Sequence, residues 1–258
     1  MAARAIWKGV IRLGDASVPV KLFSAVEDRG VHFRLLHEKD LVPVKQAMVN
    51  SQTDEVVPYE QVRKGYVTEE GQIVVLESSD LGELEPEESR DIRITRFLPQ
   101  AAIDHLWYDR PYYLGPDGGT GSYFALVEAL RKSGKEGLAH WVMRKKEYAG
   151  ALRLQGDHPV LITLRHADEV AVAEDLKPPS GRDLDKKELA MAGQLMSMLE
   201  EKFDPTEYRD EYRQRVLDLI ESKAAGRTVK FRKAKRKKPA EDLGKALRAS
   251  IKKERKVA

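Results

Sequence analysis

Cysteine is absent from the 258-residue sequence, which excludes disulfide bonds and thiolate zinc sites and makes a reducing compartment the natural setting. No apolar run approaches the roughly 20 residues that a transmembrane helix needs, and the first residues do not form the apolar core of a signal peptide. These absences predict a cytoplasmic protein of a bacterial type, with no membrane as a partner.

Motifs that mark catalytic sites are missing as well. The glycine-rich loop 115–121 lacks the Gly-Lys-[Ser/Thr] of a phosphate-binding P-loop, and the six histidines show no His-Glu-x-x-His spacing. There is no Gly-x-Ser-x-Gly nucleophile elbow and no Lys-x-Asp-Gly adenylation motif. We therefore predict a protein that is not an enzyme and that holds no metal and no cofactor.

Charge is plentiful but unevenly distributed, since 45 Lys and Arg nearly balance 42 Asp and Glu over the whole chain. Residues 223–258 hold 15 Lys and Arg against 3 acids, whereas residues 1–222 hold 30 against 39. A basic tail on an acidic body indicates nucleic acid or an anionic surface as the partner of the tail. Any DNA contact of the body must come from cations concentrated on one surface.

Residues 4–23 alternate in the manner of a β-hairpin. The odd positions from 5 to 13 are nearly all apolar, while the even positions carry Arg4, Lys8 and Arg12. A turn at Gly14 leads to a second alternating strand. Such a hairpin can line a channel that holds a polyanion, but on this stretch alone a half-exposed hairpin with solvated cations is the better interpretation.

Short strands then recur with one helix between them, a spacing typical of a small barrel. Residues 31–66 are interrupted by proline, asparagine and glycine, which predicts extended segments reaching away from a core. A helix is predicted from Ser122 to a stop at Gly134. The alternating stretches predict strands at residues 72–76, 91–97, 138–144, 148–154 and 159–165.

Three consecutive cations, Arg144, Lys145 and Lys146, follow one of these predicted strands. Several cations at a strand end can reach the same phosphate backbone. A solvated strand end is an equally good interpretation of the triplet from the residues alone.

Two amphipathic helices are predicted beyond the barrel, one from the capping residue Asp185 to Pro205 and one from Thr206 to a stop at Gly226. Their apolar stripes need a barrel or a partner subunit to cover them. The candidate packing residues of these stripes are Leu195, Leu199, Phe203, Tyr208, Tyr212, Val216 and Leu219.

The tail begins with eight cations in twelve residues and no acid, a composition too like-charged to fold alone. A short basic helix is predicted over residues 241–253. The candidate DNA-binding residues of the tail are Arg227, Lys230, Arg232, Lys233, Lys235, Arg236, Lys237 and Lys238.

The order and spacing of several short motifs carry a family resemblance. They are residues 6–11 (IWKGVI), 18–23 (VPVKLF), 33–40 (FRLLHEKD), 64–66 (KGY), 112–114 (YYL), 123–126 (YFAL), 168–169 (DE), 209–212 (RDEY) and 219–223 (LIESK). Together they span nearly the whole chain. The sequence resembles the bacterial Ku family, the DNA-end-binding proteins of non-homologous end joining.

The resemblance implies a mixed, mainly β fold, in which a β-barrel core with extended bridge segments pairs into a homodimeric ring around duplex DNA. It implies a core over residues 1–175, a helical C-terminal arm over 176–226, and a flexible basic tail over 227–258. The arm is expected to pack across the dimer through the candidate packing residues of its two apolar stripes. The candidate channel cations are then Arg4, Lys8, Arg12, Arg34, Lys39, Lys45, Arg63, Lys64, Arg144, Lys145 and Lys146.

The resemblance further implies sequence-independent binding of double-stranded DNA ends in double-strand break repair. The partner implied is a multifunctional ATP-dependent DNA-repair ligase, which such proteins recruit and stimulate, and residues 242–250 resemble the tail motif for it. The rival interpretation is a nucleoid-type architectural protein that coats duplex DNA through its basic tail without needing an end. The acidic body and the ordered β motifs argue against that rival.

Overall fold

The computed structural model describes residues 4–171, 185–227 and 243–254. They form two compact units, one with described residues 4–29 and 34–171 and one with residues 30–33, 185–227 and 243–254. The predicted division at residues 175 and 226 stays a prediction. Of the predicted tail cations, Lys230 to Lys238 lie outside the described residues, while Arg227 is the last residue described after the fourth helix.

The first unit contains a closed seven-stranded barrel, which confirms the predicted mainly β barrel. The barrel strands are β1 (Trp7–Leu13), β2 (Ala16–Ser24), β5 (Asp91–Pro99), β6 (Tyr108–Pro116), β7 (Lys135–Met143), β8 (Lys146–Gln155) and β9 (His158–Leu164). They follow one another around the barrel in the order β1-β2-β6-β9-β8-β7-β5. All neighbours are antiparallel except β1 and β5, which pair in parallel with Val10 opposite Asp91 and so close the barrel.

The predicted first hairpin is β1 and β2, joined at Gly14, whose φ of +54° suits a residue without a side chain. Its apolar face turns into the barrel, where Ile11, Val20 and Leu22 are fully buried. Because successive strand residues point to opposite faces, the cation Lys8 stands on the outside of the barrel.

Helix α2 (Thr120–Ser133) covers part of the barrel core with four buried side chains spaced at helical intervals, Tyr123, Leu126, Val127 and Leu130. The Tyr123 hydroxyl donates a hydrogen bond to the Leu114 carbonyl of β6 at 2.8 Å. The helix ends at Gly134, where φ is +59°, in agreement with the predicted stop.

Glycine is required at one point of close packing inside the barrel. The Trp141 ring of β7 stacks on Tyr148 of β8, with centroids 5.4 Å apart. The indole lies over Gly150, where an added Cβ would come within 2.6 Å of the ring and within 2.6 Å of the Ile162 carbonyl oxygen. No side chain therefore fits at position 150 without displacing the indole or the neighbouring strand.

A buried acid links three strands of the barrel. Glu136 of β7 is fully buried, accepts a hydrogen bond from the Tyr108 hydroxyl of β6 at 2.8 Å, and lies 4.0 Å from the Arg153 guanidinium of β8. Burial, followed by the hydrogen bond to the Glu136 carboxylate, raises the pKa of Tyr108 to about 12. The cluster thus keeps a neutral phenol beside a carboxylate that is shielded from water.

Residues 34–76, which we call the bridge, connect the barrel strands β2 and β5. They hold two tight loops of the same geometry, in which His37 and Asn50 each donate an amide hydrogen bond five residues ahead, to the carbonyls of Val42 and Glu55. A short antiparallel pair follows, β3 (Lys64–Val67) and β4 (Ile73–Leu76). Nearly every bridge side chain is exposed, which agrees with the prediction of extended segments that reach away from a core.

After the bridge comes the short helix α1 (Ser78–Glu83), which buries no side chain. Its first turn is closed by a capping box between Glu77 and Asp80. The acidic region after the bridge therefore consists of a short helix followed by a loop that leads to β5.

The second unit contains α3 (Lys186–Met198), α4 (Glu211–Ala224) and α5 (Leu243–Glu254), and α3 packs against α5. Both predicted helices are shorter than the sequence suggested. The Asp204 carboxylate accepts hydrogen bonds from the Thr206 amide and hydroxyl, and Asp210 caps α4 through the Arg213 amide. These local bonds compete with the helical ladder between the two helices. Among the described residues, no helix combines the length and the apolar character that crossing a bilayer requires.

Candidate nucleic-acid interface

The ends of four barrel strands meet at one rim of the barrel. Trp7 opens β1, Arg90 precedes β5, and the turn at Arg144 and Lys145 joins β7 to β8. The Val10 amide donates a hydrogen bond to the Arg90 carbonyl at 2.8 Å, which fixes the start of β5 beside β1. These residues line one open cleft together with Glu88. We call it the rim cleft.

Arg90 is a cation of the rim cleft that was not among the candidate channel cations predicted from the sequence. Its place directly before an alternating strand was visible in the sequence. What the sequence did not reveal is that this strand pairs with β1 on one side and β7 on the other, and only that pairing brings Arg90 to the cleft of Arg144.

The predicted cationic triplet occupies a tight hairpin turn rather than a plain strand end. Met143 pairs with Lys146, so Arg144 and Lys145 form a two-residue turn with φ values of +53° and +63°. Positive φ at both positions marks a type I′ turn, which favours Asn and Gly. Each left-handed residue with a long side chain costs on the order of 1 kcal/mol. Backbone strain of this kind is concentrated at functional sites of proteins.

We predict that replacing this turn by Asn-Gly, in the variant R144N/K145G, raises the free energy of unfolding by about 1 to 2 kcal/mol, because the left-handed backbone is then adopted without strain. Chemical denaturation of the variant and the wild type measures the difference. An Asn-Gly variant that is less stable than the wild type would show that the two cations hold the turn through their side chains.

One of the two turn cations is paired to an acidic neighbour. The Lys145 ammonium lies 2.7 Å from the Glu85 carboxylate, and this hydrogen bond, with a further contribution from the charge of Glu88, raises the pKa of Lys145. Both acids belong to residues 77–88, which we call the acidic stretch and which hold six carboxylates and no Lys or Arg. At its other end, Glu77 lies 3.8 Å from Arg63 of the bridge.

The cations on the outside of β1 and β2 also have carboxylate partners. Lys8 and Lys21 each place their ammonium 3.1 Å from Asp117, and the two hydrogen bonds lower the pKa of that carboxyl. Arg12 donates from Nε to the Asp91 carboxylate at 2.9 Å. Exposed ion pairs of this kind are weak and screened by salt, so a DNA phosphate can exchange with the carboxylate.

Seven of the predicted body cations form no ion pair within the described part of the chain, and all seven are exposed. Four of them lie on the bridge, one in the turn between β7 and β8, one directly after that turn, and one before β1. They are Arg34, Lys39, Lys45, Lys64, Arg144, Lys146 and Arg4. The structure thus brings Arg144 and Lys145 into one cleft and places the other predicted cations on the bridge, on or before β1, and at the start of β8.

The residues predicted for dimer packing leave much apolar surface uncovered in the single chain. Leu199, Phe203, Tyr208 and Tyr212 are exposed, and the rings of Phe203 and Tyr208 lie 5.2 Å apart. Leu195, Val216 and Leu219 are half-buried within the second unit.

No group of three or more His, Asp or Glu side chains among the described residues is arranged to hold a metal ion.

Comparison with known proteins identifies the family. The model of the "Ku70/Ku80 beta-barrel domain" matches residues 12–191. Non-homologous end joining protein Ku 2 of Geotalea uraniireducens is 36% identical over 255 residues, covering 98% of this chain and 99% of that protein. The corresponding Ku proteins of Coxiella burnetii and Bacillus subtilis are 34% and 35% identical, over 90% and 95% of this chain and 87% and 81% of their own lengths. The chain therefore belongs to the Ku family, in agreement with the resemblance of its short motifs and with its closed barrel.

Proposed function

We propose that this protein binds the ends of double-stranded DNA without sequence preference, as a homodimeric ring, in the repair of double-strand breaks by non-homologous end joining. The observation that carries the proposal is the bridge, a long exposed segment that carries unpaired cations and uncovered apolar side chains together. Membership in the Ku family supplies the pathway, since the related proteins are named for end joining.

The cations of the bridge and the rim suit a phosphate backbone better than base edges. Lys and Arg side chains that meet phosphates give affinity without reading sequence. A ring that a DNA end threads needs no base contact, because the topology holds the DNA. The excess of acids in residues 1–222 then disfavours DNA contact outside the cationic surface.

The uncovered apolar side chains call for a second copy of the chain. On the bridge, Leu41, Tyr59 and Ile73 each expose two thirds or more of their surface, which is unusual for large apolar residues of a monomer. The aromatic and aliphatic residues of α3, α4 and the segment between them supply a further apolar surface. Both surfaces are covered if two chains pair through their bridges and C-terminal arms and enclose a channel.

The remaining partners follow from the family and the composition. We propose that the protein itself catalyses no step and that it recruits and stimulates the repair ligase, with the basic tail from Arg227 onward as an additional DNA-binding segment. The cations at 230–238 contribute charge to this segment, and α5 lies beyond them.

The test compares a linear duplex with the same duplex closed into a covalent circle, in a gel-shift assay on the full chain. A threaded ring binds the linear form alone and gives a ladder of complexes that lengthens with the DNA. Equal binding to the two forms would contradict end recognition and would favour an architectural protein that coats duplex DNA through its tail.

A further inference from the structure

The acidic stretch contacts predicted DNA-binding cations at both of its ends. Glu77 pairs with Arg63 at 3.8 Å and Glu85 pairs with Lys145 at 2.7 Å. Within the described part of the chain, four of the eleven predicted body cations have a carboxylate partner, and this one stretch supplies two of them. A run of carboxylates laid against cations presents to them the same charge as a phosphate backbone.

The rim cleft has the composition of a phosphate site. Arg90 and Arg144 line it beside Lys145, and neither arginine forms an ion pair with a described residue. Guanidinium groups bind phosphate oxygens through paired N–H donors, so two of them around one cleft suit a phosphodiester. Arg144 and Lys145 occupy the rim turn although Asn-Gly would adopt its left-handed backbone with less strain.

Glu88 lines the same cleft as the two arginines, and its charge also acts on Lys145. Carboxylates of the acidic stretch therefore already stand where a phosphate would bind. In the free protein they lower the positive potential of the rim, and a bound phosphate has to replace them.

The acidic stretch is held in a way that permits such replacement. Helix α1 buries no side chain, and Leu84 exposes 81% of its surface, so apolar packing does not fix the stretch. Its contacts with the cations are exposed ion pairs, and such pairs contribute little free energy and weaken as salt rises. A phosphate of the DNA can compete with contacts of this strength.

We propose that the rim cleft of Arg90, Arg144 and Lys145 binds a DNA phosphate, and that Glu85 and Glu88 occupy this site in the DNA-free protein until the phosphate displaces them. The inference rests on the proposed function, because it presupposes that duplex DNA reaches the rim. The acidic stretch then acts as an internal competitor for the cations. A duplex that contacts the full set of cations displaces it, whereas a weaker anion does not.

The test measures the affinity of the full chain for a labelled linear duplex by fluorescence anisotropy, with the variant E85Q/E88Q. Both carboxylates are exposed, so the fold tolerates the change. We expect binding about three- to tenfold tighter than wild type, because the Glu85–Lys145 ion pair and the charge of Glu88 no longer oppose the phosphate. The gain shrinks as salt rises, because salt screens these charge interactions.

A matched control separates this effect from the change in net charge. The variant E128Q/D157N also removes two exposed carboxylates, but both of them contact Arg131 of α2 rather than the rim. We expect less than a twofold change for this control. An equal gain in the control would overturn the proposal, because net charge alone would then explain the gain.

The same variant in a second background tests the site itself. In the R90A/R144A/K145A background, all three cations that receive the phosphate are gone, so E85Q/E88Q gives a gain below twofold. A gain that persists there, or no gain in the wild-type background, overturns the proposal. If the wild type keeps its preference for linear over circular DNA in these cases, only the inference fails. Loss of that preference in the wild type contradicts the proposed function instead.

Discussion

Alanine at the four unpaired bridge cations weakens binding to linear duplex DNA by roughly a hundredfold to a thousandfold at about 0.15 M salt, with equal loss on all sequences. The substituted residues are Arg34, Lys39, Lys45 and Lys64. Each neutralised phosphate contributes about 0.9 to the slope of log K against log salt. The slope therefore becomes less steep by up to about 3.6, because four counterion-releasing contacts are removed.

A control of equal charge change shows whether position or net charge matters. Alanine at Lys132, Lys135, Lys186 and Lys187 removes four positive charges from α2, the start of β7 and α3. We expect affinity within about threefold of wild type and an unchanged salt slope for this control. A bridge variant that binds no more weakly than the control would remove the bridge from the DNA interface.

The second large effect concerns the barrel core. We predict that G150A lowers the free energy of unfolding by about 3 kcal/mol, since overpacking of this kind commonly costs 1 to 3 kcal/mol or somewhat more. The added methyl meets the Trp141 ring and the Ile162 carbonyl oxygen, each at 2.6 Å, and the carbonyl belongs to a paired strand that cannot shift alone. For a chain of this size the melting temperature falls by roughly 6 to 12 °C, measured by circular dichroism.

G121A is the matched control for this substitution. Gly121 lies in the first turn of α2, and an added Cβ there has no atom within 4 Å. Because alanine is the better helix former, we expect this variant to be as stable as the wild type or more stable by up to about 1 kcal/mol. If G150A were also as stable as the wild type, the indole of Trp141 would have to lie elsewhere than over position 150.

The local parts of the fold were accessible from the sequence because their signals are local. Alternation over residues 4–23 predicted both strands of the first hairpin, and the buried Ile11 and Leu22 confirm which face turns inward. Gly134 marked the end of α2, since a positive φ at a helix end is a property of one residue. The family resemblance came from the order of short motifs.

The closing of the barrel was not accessible in the same way. Parallel pairing of β1 with β5 joins residues about 80 positions apart, and no local pattern specifies that partner. The C-terminal helices were predicted too long, because Asp204 and Asp210 look like ordinary polar residues until their side chains are seen to bond backbone amides. Side-chain geometry of this kind decides where a helix ends.

The ion pairs of the candidate site were likewise not accessible from the sequence. The sequence identified the cations, but it did not reveal that Lys8 faces Asp117 or that Lys145 faces Glu85. Those pairs join residues 109 and 60 positions apart and depend on the folded barrel. Which cations are free to meet a phosphate is therefore a property of the structure, and the assignment of each one to the DNA channel stays a prediction.

The most direct test of the threaded ring is topological trapping. The full chain is loaded on a linear plasmid, the DNA ends are then joined by an added ligase, and the closed circles are washed in high salt. If the protein encircles the DNA, it stays on the closed circles, washes off DNA that was left linear, and is released when a restriction enzyme reopens the circle. Protein that washes off circles and linear DNA alike would contradict encirclement of the DNA.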